Sequence, residues 1–281
     1  MYSTFDRRRF LDFAVMIASP AWAAPNAGGV VIGVQGYSFR DRGLDEAIAA
    51  ARQLELRCFE VFEGHLEPRK LSRQELRDWR IKAGEDQYRI IRHKFDEAGV
   101  ELWSCGYNFR EDFTDEEIAH GFVMARALGV KRINASANIS VVARVDRFAR
   151  KAGIYVGLHN HSNLKPDELA TPENFAEAMR GCSEFIAIHL DIGHFTATGG
   201  DVVEYLTKNH QKILTLHLKD RKKNQGPNMP FGEGDTPIRE VLQLLKRERW
   251  NIPALIEYEY KGGDTIDEVR RARDYCRRAL A

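Results

Sequence analysis

A carboxylate and an imidazole stand three residues apart at Asp191 and His194, where the apolar run of residues 185–195 (FIAIHLDIGHF) turns at Gly193. Alone the pair says little, because many buried strands end in Asp to cap a following helix. Three further apolar runs end in similar chemistry: His159-Asn160-His161, His217-Leu218-Lys219 and Glu257-Tyr258-Glu259. Alternate residues of an extended chain share a face. His159 therefore points the same way as His161, His217 the same way as Lys219, and Glu257 the same way as Glu259. One inward residue per run, His159, Asp191, His217 and Glu257, makes a site of two imidazoles and two carboxylates. Such a set suits Mn, Zn, Fe or Co and suits Ca or Mg poorly. A lone strand histidine is ordinarily a satisfied core residue, but four adjacent strand ends of this kind argue against that reading for the group.

Eight apolar runs position these residues, at 31–37, 58–62, 101–105, 131–135, 154–159, 186–191, 213–218 and 254–258. Helical patterns alternate with them at 44–54, 73–98, 115–128, 140–151, 172–179, 202–208, 237–247 and 265–280. Gly99, Gly129 and Gly153 stand where helices stop, and Thr114, Thr171 and Asp264 are plausible N-caps. Strand and helix repeated eight times indicate an α/β fold, the (β/α)8 barrel. In that fold function gathers at the C-terminal ends of the strands. An open doubly wound sheet is the alternative, but the Gly-rich phosphate loop it needs after the first strand is missing from Gly36-Tyr37-Ser38-Phe39-Arg40. The Gly-, Pro- and Asn-rich stretch 222–235 reads as a long loop on the catalytic face, a substrate lid or a solvated excursion.

Lys+Arg 42 against Asp+Glu 41 gives a net charge of +1, which excludes the one-signed field of a nucleic-acid or membrane-surface binder. A small, neutral or locally read ligand fits better. The first residues form their own unit: Asp6-Arg7-Arg8-Arg9-Phe10-Leu11, a short apolar run, then Ala21-Trp22-Ala23. This predicts a twin-arginine-type export signal over 1–23, a short linker over 24–29, one barrel over 30–281 and a periplasmic location, with no membrane attachment after signal removal. Asp6 and Asp12 depart from that signal's usual residues. Cys58, Cys105, Cys182 and Cys276 are isolated, and Cys58 and Cys105 read as small core residues.

Phe59-Glu60-Val61-Phe62, LHNH at 158–161, HLDIGH at 189–194, LHLKD at 216–220, FGEGD at 231–235 and IEYE at 256–259 run in order along the chain. As a set they resemble the xylose-isomerase-like TIM-barrel sugar isomerases and epimerases, whose superfamily includes tagatose and psicose 3-epimerases, inosose dehydratase and endonuclease IV. The resemblance implies a divalent metal, Mn first with Zn, Co or Fe as alternatives, held by the ends of strands five to eight. Asp191, His217 and Glu257 match its ligand pattern, His194 its histidine at a substrate hydroxyl, and Glu60 its strand-two acid near the pocket. Strand five departs: the epimerases carry Glu as ligand and second base, where this chain has His159-Asn160-His161. One of the two imidazoles is then the ligand and the other the base; His159 is placed in the metal set and His161 in the catalytic set.

The implied chemistry is enolisation of a ketose or keto-sugar through an enediolate, with Glu257 or His161 removing the proton. Lys219 or His194 would steady the oxyanion or protonate a leaving oxygen. The substrate is a small sugar, and an exported enzyme would meet unphosphorylated ones. Trp103, Tyr37 and Phe231 are candidate pocket walls, with core packing as the bland reading. Glu233 and Asp235 are candidate sugar contacts, and Arg221-Lys222-Lys223 a candidate phosphate contact or an ordinary solvated surface. A keto-sugar dehydratase or 3-keto-glycoside lyase or hydratase is the alternative. An endonuclease IV-like phosphodiesterase, which needs more metal ligands, and a non-catalytic sugar-binding barrel complete the set. A homo-oligomer is a further expectation.

Overall fold

The computed structural model describes residues 29–281. Seven parallel strands come first: β1 (Ile32–Gln35), β2 (Cys58–Val61), β3 (Glu101–Gly106), β4 (Arg132–Ala135), β5 (Tyr155–His159), β6 (Ile186–Asp191) and β7 (Ile213–Leu218). A two-stranded ribbon follows, β8 (Asp220–Arg221) against β9 (Asn228–Met229), and then the last barrel strand, β10 (Ala254–Ile256). β10 lies beside β7 and closes the barrel on β1, with Ile32 opposite Ala254. Outward-facing Val34, Ile133, Val156, Leu216 and Ile256 are buried against the helical layer, which accounts for the continuous apolar runs. The barrel expected from the alternation is therefore present.

The helices are α1 (Leu44–Gln53), α2 (Arg73–Lys82), α3 (Asp86–Ala98), α4 (Asp115–Ala127), α5 (Ile139–Ala152), α6 (Pro172–Ala178), α7 (Ile192–Ala197), α8 (Val202–Asn209), α9 (Ile238–Glu248) and α10 (Thr265–Leu280). Thr114 Oγ1 accepts from the Glu117 N–H at 3.2 Å. In return Glu117 Oε2 accepts from the Thr114 N–H at 3.3 Å. The two bonds make a reciprocal cap. Thr171 and Asp264 also cap their helices, α6 and α10, through side-chain oxygens.

Two expectations change. The single helix over 73–98 is two, because Ala83 turns extended (ψ 121°) and Gly84 follows it. α2 is held mainly by charge. Arg73 forks onto Glu117 at 2.8 and 2.9 Å, Arg77 donates to Glu117 at 2.8 Å, and Arg80 pairs with Glu67 at 2.8 Å. Secondly, Gly193 does not turn the chain but lies inside α7, which begins directly after its cap Asp191. The four cysteines are free, and Cys58 and Cys105 are buried. No described helix is long and apolar enough to cross a membrane. The export signal expected over 1–23 lies outside the described residues.

Candidate active site

Strand ends β5, β6, β7 and the residue after β10 bring His159, Asp191, His217 and Glu257 together, with one potential ligand atom of each within 4.8 Å of the others. His217 is the hub. Its Nδ1 lies 3.1 Å from His159 Nε2 and 3.1 Å from Glu257 Oε2, and its Nε2 faces Glu60 Oε1 at 3.4 Å. Glu60 is 2 % exposed and accepts from Ser104 Oγ at 3.1 Å and from Asn134 Nδ2. A carboxylate on the far nitrogen of a ligating histidine fixes its tautomer and aim, so Glu60 is placed to orient His217.

Asp191 divides its work between its two oxygens. Oδ1 accepts from His194 N–H at 2.7 Å and caps α7, while Oδ2 faces the cluster. The capping reading and the ligand reading of this residue are thus compatible. Asp191 Oδ2 and Glu257 Oε2 are buried and accept no well-formed hydrogen bond, although Lys219 Nζ stands 3.1 and 2.9 Å away. Two such oxygens beside two imidazoles fit a divalent cation.

Lys219 is 2 % exposed and also meets Glu259 Oε2 at 2.7 Å, so three carboxylates surround one ammonium. Burial opposes its charge, but Asp191 and Glu257 outweigh that and raise it above its ordinary value. Burial likewise opposes ionisation of Glu257, yet Lys219 and then His217 hold that carboxyl well below the usual range. His217 shows the same balance: burial is outweighed by Glu257 and Glu60, which raise it to about 10. His161 goes the other way. Burial, then His159 and Lys219, lower it to about 3, so it is an uncharged base.

A cavity of about 170 Å³ opens over the cluster, with Glu60, His159, His161, His217, Glu257 and Glu259 among its lining residues. Tyr37 lines it as expected. Lys219, whose Nζ is 2.9 Å from Glu257 Oε2, and His194 are both outside the wall. Both ring nitrogens of His194 meet cations, Lys219 Nζ at 2.9 Å and Arg221 Nη1 at 2.8 Å. A neutral ring can accept from only one of them. Arg221 also donates to Gly226 O at 2.7 Å and Ser162 Oγ at 2.7 Å, which leaves its guanidinium engaged rather than open to a phosphate.

Trp103 and Glu233 are not among the residues that line the cavity. Trp103 does not wall the cavity: its Nε1 donates across the barrel interior to Thr215 Oγ1 at 3.2 Å, with Arg132 stacked 3.7 Å from its ring. Glu233 is exposed and outside the wall. Its loop is strapped to Asp220, whose carboxylate accepts from the N–H groups of Gly232 at 2.8 Å, Gly234 at 3.0 Å and Thr236 at 3.2 Å. A Cβ at Gly234 would overlap Asp220 Oδ1, and Gly232 has φ +93°, so the glycines of FGEGD serve this anchor. Phe231 packs on Tyr275, with centroids 5.9 Å apart.

Sequence reasoning missed His189 and Ser136. His189 is fully buried one layer below Asp191; neither ring nitrogen has a hydrogen-bond partner, and its ring lies 3.9 Å from that of His217. Its parity with Asp191 was the available signal. Ser136 Oγ lies 3.4 Å from His159 Nδ1 and 3.3 Å from His161 Nε2, between the two imidazoles. Nothing local in the sequence marks it.

Fold and site together define a (β/α)8 barrel with a candidate metal centre at its strand ends. The chain belongs to the xylose isomerase-like TIM barrel family, which residues 48–279 match. L-ribulose-5-phosphate 3-epimerase UlaE of Escherichia coli is 33% identical over 95 residues, and the match spans 34% of this chain and 34% of that protein. In structure the chain is similar to 3-keto-D-glucoside 4-epimerase YcjR of E. coli, at TM-score 0.67 and 13% identity over 89% of this chain and 99% of that one. It is also similar to the probable 3-DHS dehydratase AsbF of Bacillus anthracis, at TM-score 0.65 and 16% identity over 86% and 97% of the two chains.

Proposed function

We propose that the protein is a divalent-metal-dependent isomerase or epimerase of a ketose or keto-sugar, acting by proton removal beside a carbonyl. One observation carries this: four candidate ligands converge beneath a cavity whose wall holds two potential proton acceptors, Glu257 and His161. His159, Asp191, His217 and Glu257 would hold the ion, Mn first among the candidates. When bound, it would supply Lewis-acid polarisation of the carbonyl, which weak bases require. Glu257 is kept ionised by Lys219 and is one acceptor; His161 is kept uncharged by burial and is the other, so a proton removed by one can be returned by the other. Lys219 acts through its neighbours, fixing Asp191 and Glu257. Ser136, between His159 and His161, sets the orientation of both rings. Loss of a β-oxygen, giving a dehydratase or lyase, is a second reading, supported by His159-Asn160-His161 standing on β5 where the epimerases carry the Glu that is their second base.

The test is metal analysis followed by a panel of ketoses and 3-keto-glycosides in deuterated water. Solvent deuterium in a recovered isomer supports the first reading, and release of water or aglycone the second. A metal-free protein that exchanges no substrate proton sinks both. Within the site, His159→Ala should lose metal, whereas His161→Ala should keep metal and lose activity. We further propose that residues 1–23 direct export to the periplasm, which cell fractionation with and without that segment would decide.

A further inference from the structure

The cavity holds more carboxylate than the four candidate ligands account for. Glu63 and Glu259 line it beyond that set, beside Asn108 and the edge-to-face pair Tyr37 and Phe62, whose centroids are 5.1 Å apart. Glu63 follows β2 and accepts from Asn108 Nδ2 at 3.0 Å. Glu259 follows β10 and accepts from Asn228 Nδ2 at 3.2 Å. Neither arginine nor lysine is among the lining residues. Lys219, outside the lining, is shared among Asp191, Glu257 and Glu259, so one ammonium faces three carboxylates, and Arg221 is engaged by Gly226, Ser162 and His194. Burial, and then Glu67, raise the Glu63 carboxyl above its ordinary value and outweigh Arg80, which lowers it.

Resting on the reaction proposed above, we propose that Glu63 and Glu259 make this cavity select an uncharged polyol chain over its phosphate ester. Sugar hydroxyls donate to carboxylates, and sugar C–H faces pack on the Tyr37 and Phe62 rings. A phosphate ester brings a charge of about −1.5 to −2 and acceptor oxygens alone, which call for arginine or lysine partners. Like-charge repulsion across such a site sets the preference on the order of a hundredfold. In this the chain would part from UlaE, whose name specifies a 5-phosphate.

Ribitol and ribitol 5-phosphate lack a carbonyl and cannot turn over, so their binding reads the preference independently of the reaction. Each is titrated calorimetrically into protein equilibrated with Mn²⁺. Ribitol should bind on the order of a hundredfold more tightly, and Glu63→Gln and Glu259→Gln should each narrow the gap by about tenfold. Tighter binding of the phosphate ester, a gap unchanged in both variants, or no binding of ribitol would each overturn the proposal. Loss of deuterium exchange in the ketose panel would instead strike the reaction and leave this preference measurable.

Discussion

Replacing Asp220 by Ala should release the 230–236 loop while leaving the barrel folded. Three backbone N–H groups, of Gly232, Gly234 and Thr236, converge on its carboxylate at 2.8, 3.0 and 3.2 Å. Burial raises this carboxyl even though the three donors lower it, so the net worth of each bond falls to that of an ordinary neutral hydrogen bond. At about 1 kcal/mol each, the loop's local opening free energy should fall by about 3 kcal/mol, roughly 150-fold in amide exchange rate. Hydrogen exchange read at Gly232, Gly234 and Thr236 is the assay, with β7 amides as the internal reference. Asp220→Asn, which keeps a carbonyl oxygen toward Gly232 and Gly234, should fall between wild type and Ala. Unchanged protection at all three amides in Asp220→Ala would refute the anchoring of this loop by Asp220.

Other outcomes follow from the same geometry. Chelation should lower the melting temperature, since an ion at about 100 times its dissociation constant contributes about 2.7 kcal/mol, or roughly 5–10 °C here; identical scans with Mn²⁺ and with chelator would contradict it. Burial, with Arg80, lowers His120 to about 4 against 6.5 unfolded. Stability is therefore full above the unfolded value, and about 3 kcal/mol of it is lost as pH falls through the folded one. Denaturant titrations should show that slope flattened in His120→Gln. Arg73 is 38% and Arg77 25% exposed around the buried Glu117. Glu117→Ala should accordingly cost about 2 kcal/mol, less than for a fully buried pair, as read by chemical denaturation. A Cβ at Gly157 would lie 2.8 Å from Asn134 Oδ1 and 3.0 Å from His189 Cβ. Gly157→Ala should therefore cost about 1–3 kcal/mol and weaken metal binding, the second effect read by calorimetry with Mn²⁺.

The barrel was legible because strands buried on both faces write continuous apolar runs, and helix ends carry Gly99, Gly153, Thr114 and Asp264 as local signals. The four-residue cluster was legible because period-two geometry sorts each strand end separately. What lay beyond the sequence was relational. Trp103 reads equally well as a pocket wall or as a barrel filler, and its partner Thr215 lies 112 residues away. The break after Lys82 is masked because Arg73, Arg77 and Arg80 are good helix formers whose partner, Glu117, belongs to another helix. The loop holding FGEGD reads as a substrate lid or a solvated excursion until Asp220 is seen to anchor it.

Two register shifts explain why strict alternation misplaced part of the interior and yet located the site. Along β6 and β7, Ile188 pairs with Ile213 but His189 with Thr215, so one residue of β7 is skipped. Without that skip Asp191 would face Leu216 and His217 would be out of line, since a slip of one residue exchanges the two faces. Along β2 and β3, Phe59 pairs with Leu102 but Glu60 with Ser104, which skips Trp103. Trp103 and Ser104 both turn inward there, one to Thr215 and the other to Glu60. The two irregularities act on one object. The first brings His217 level with Asp191, and the second supplies the hydroxyl that holds Glu60 against His217 from below. The aim of the imidazole at the centre of the cluster is therefore fixed by departures from regular strand pairing on opposite sides of the barrel.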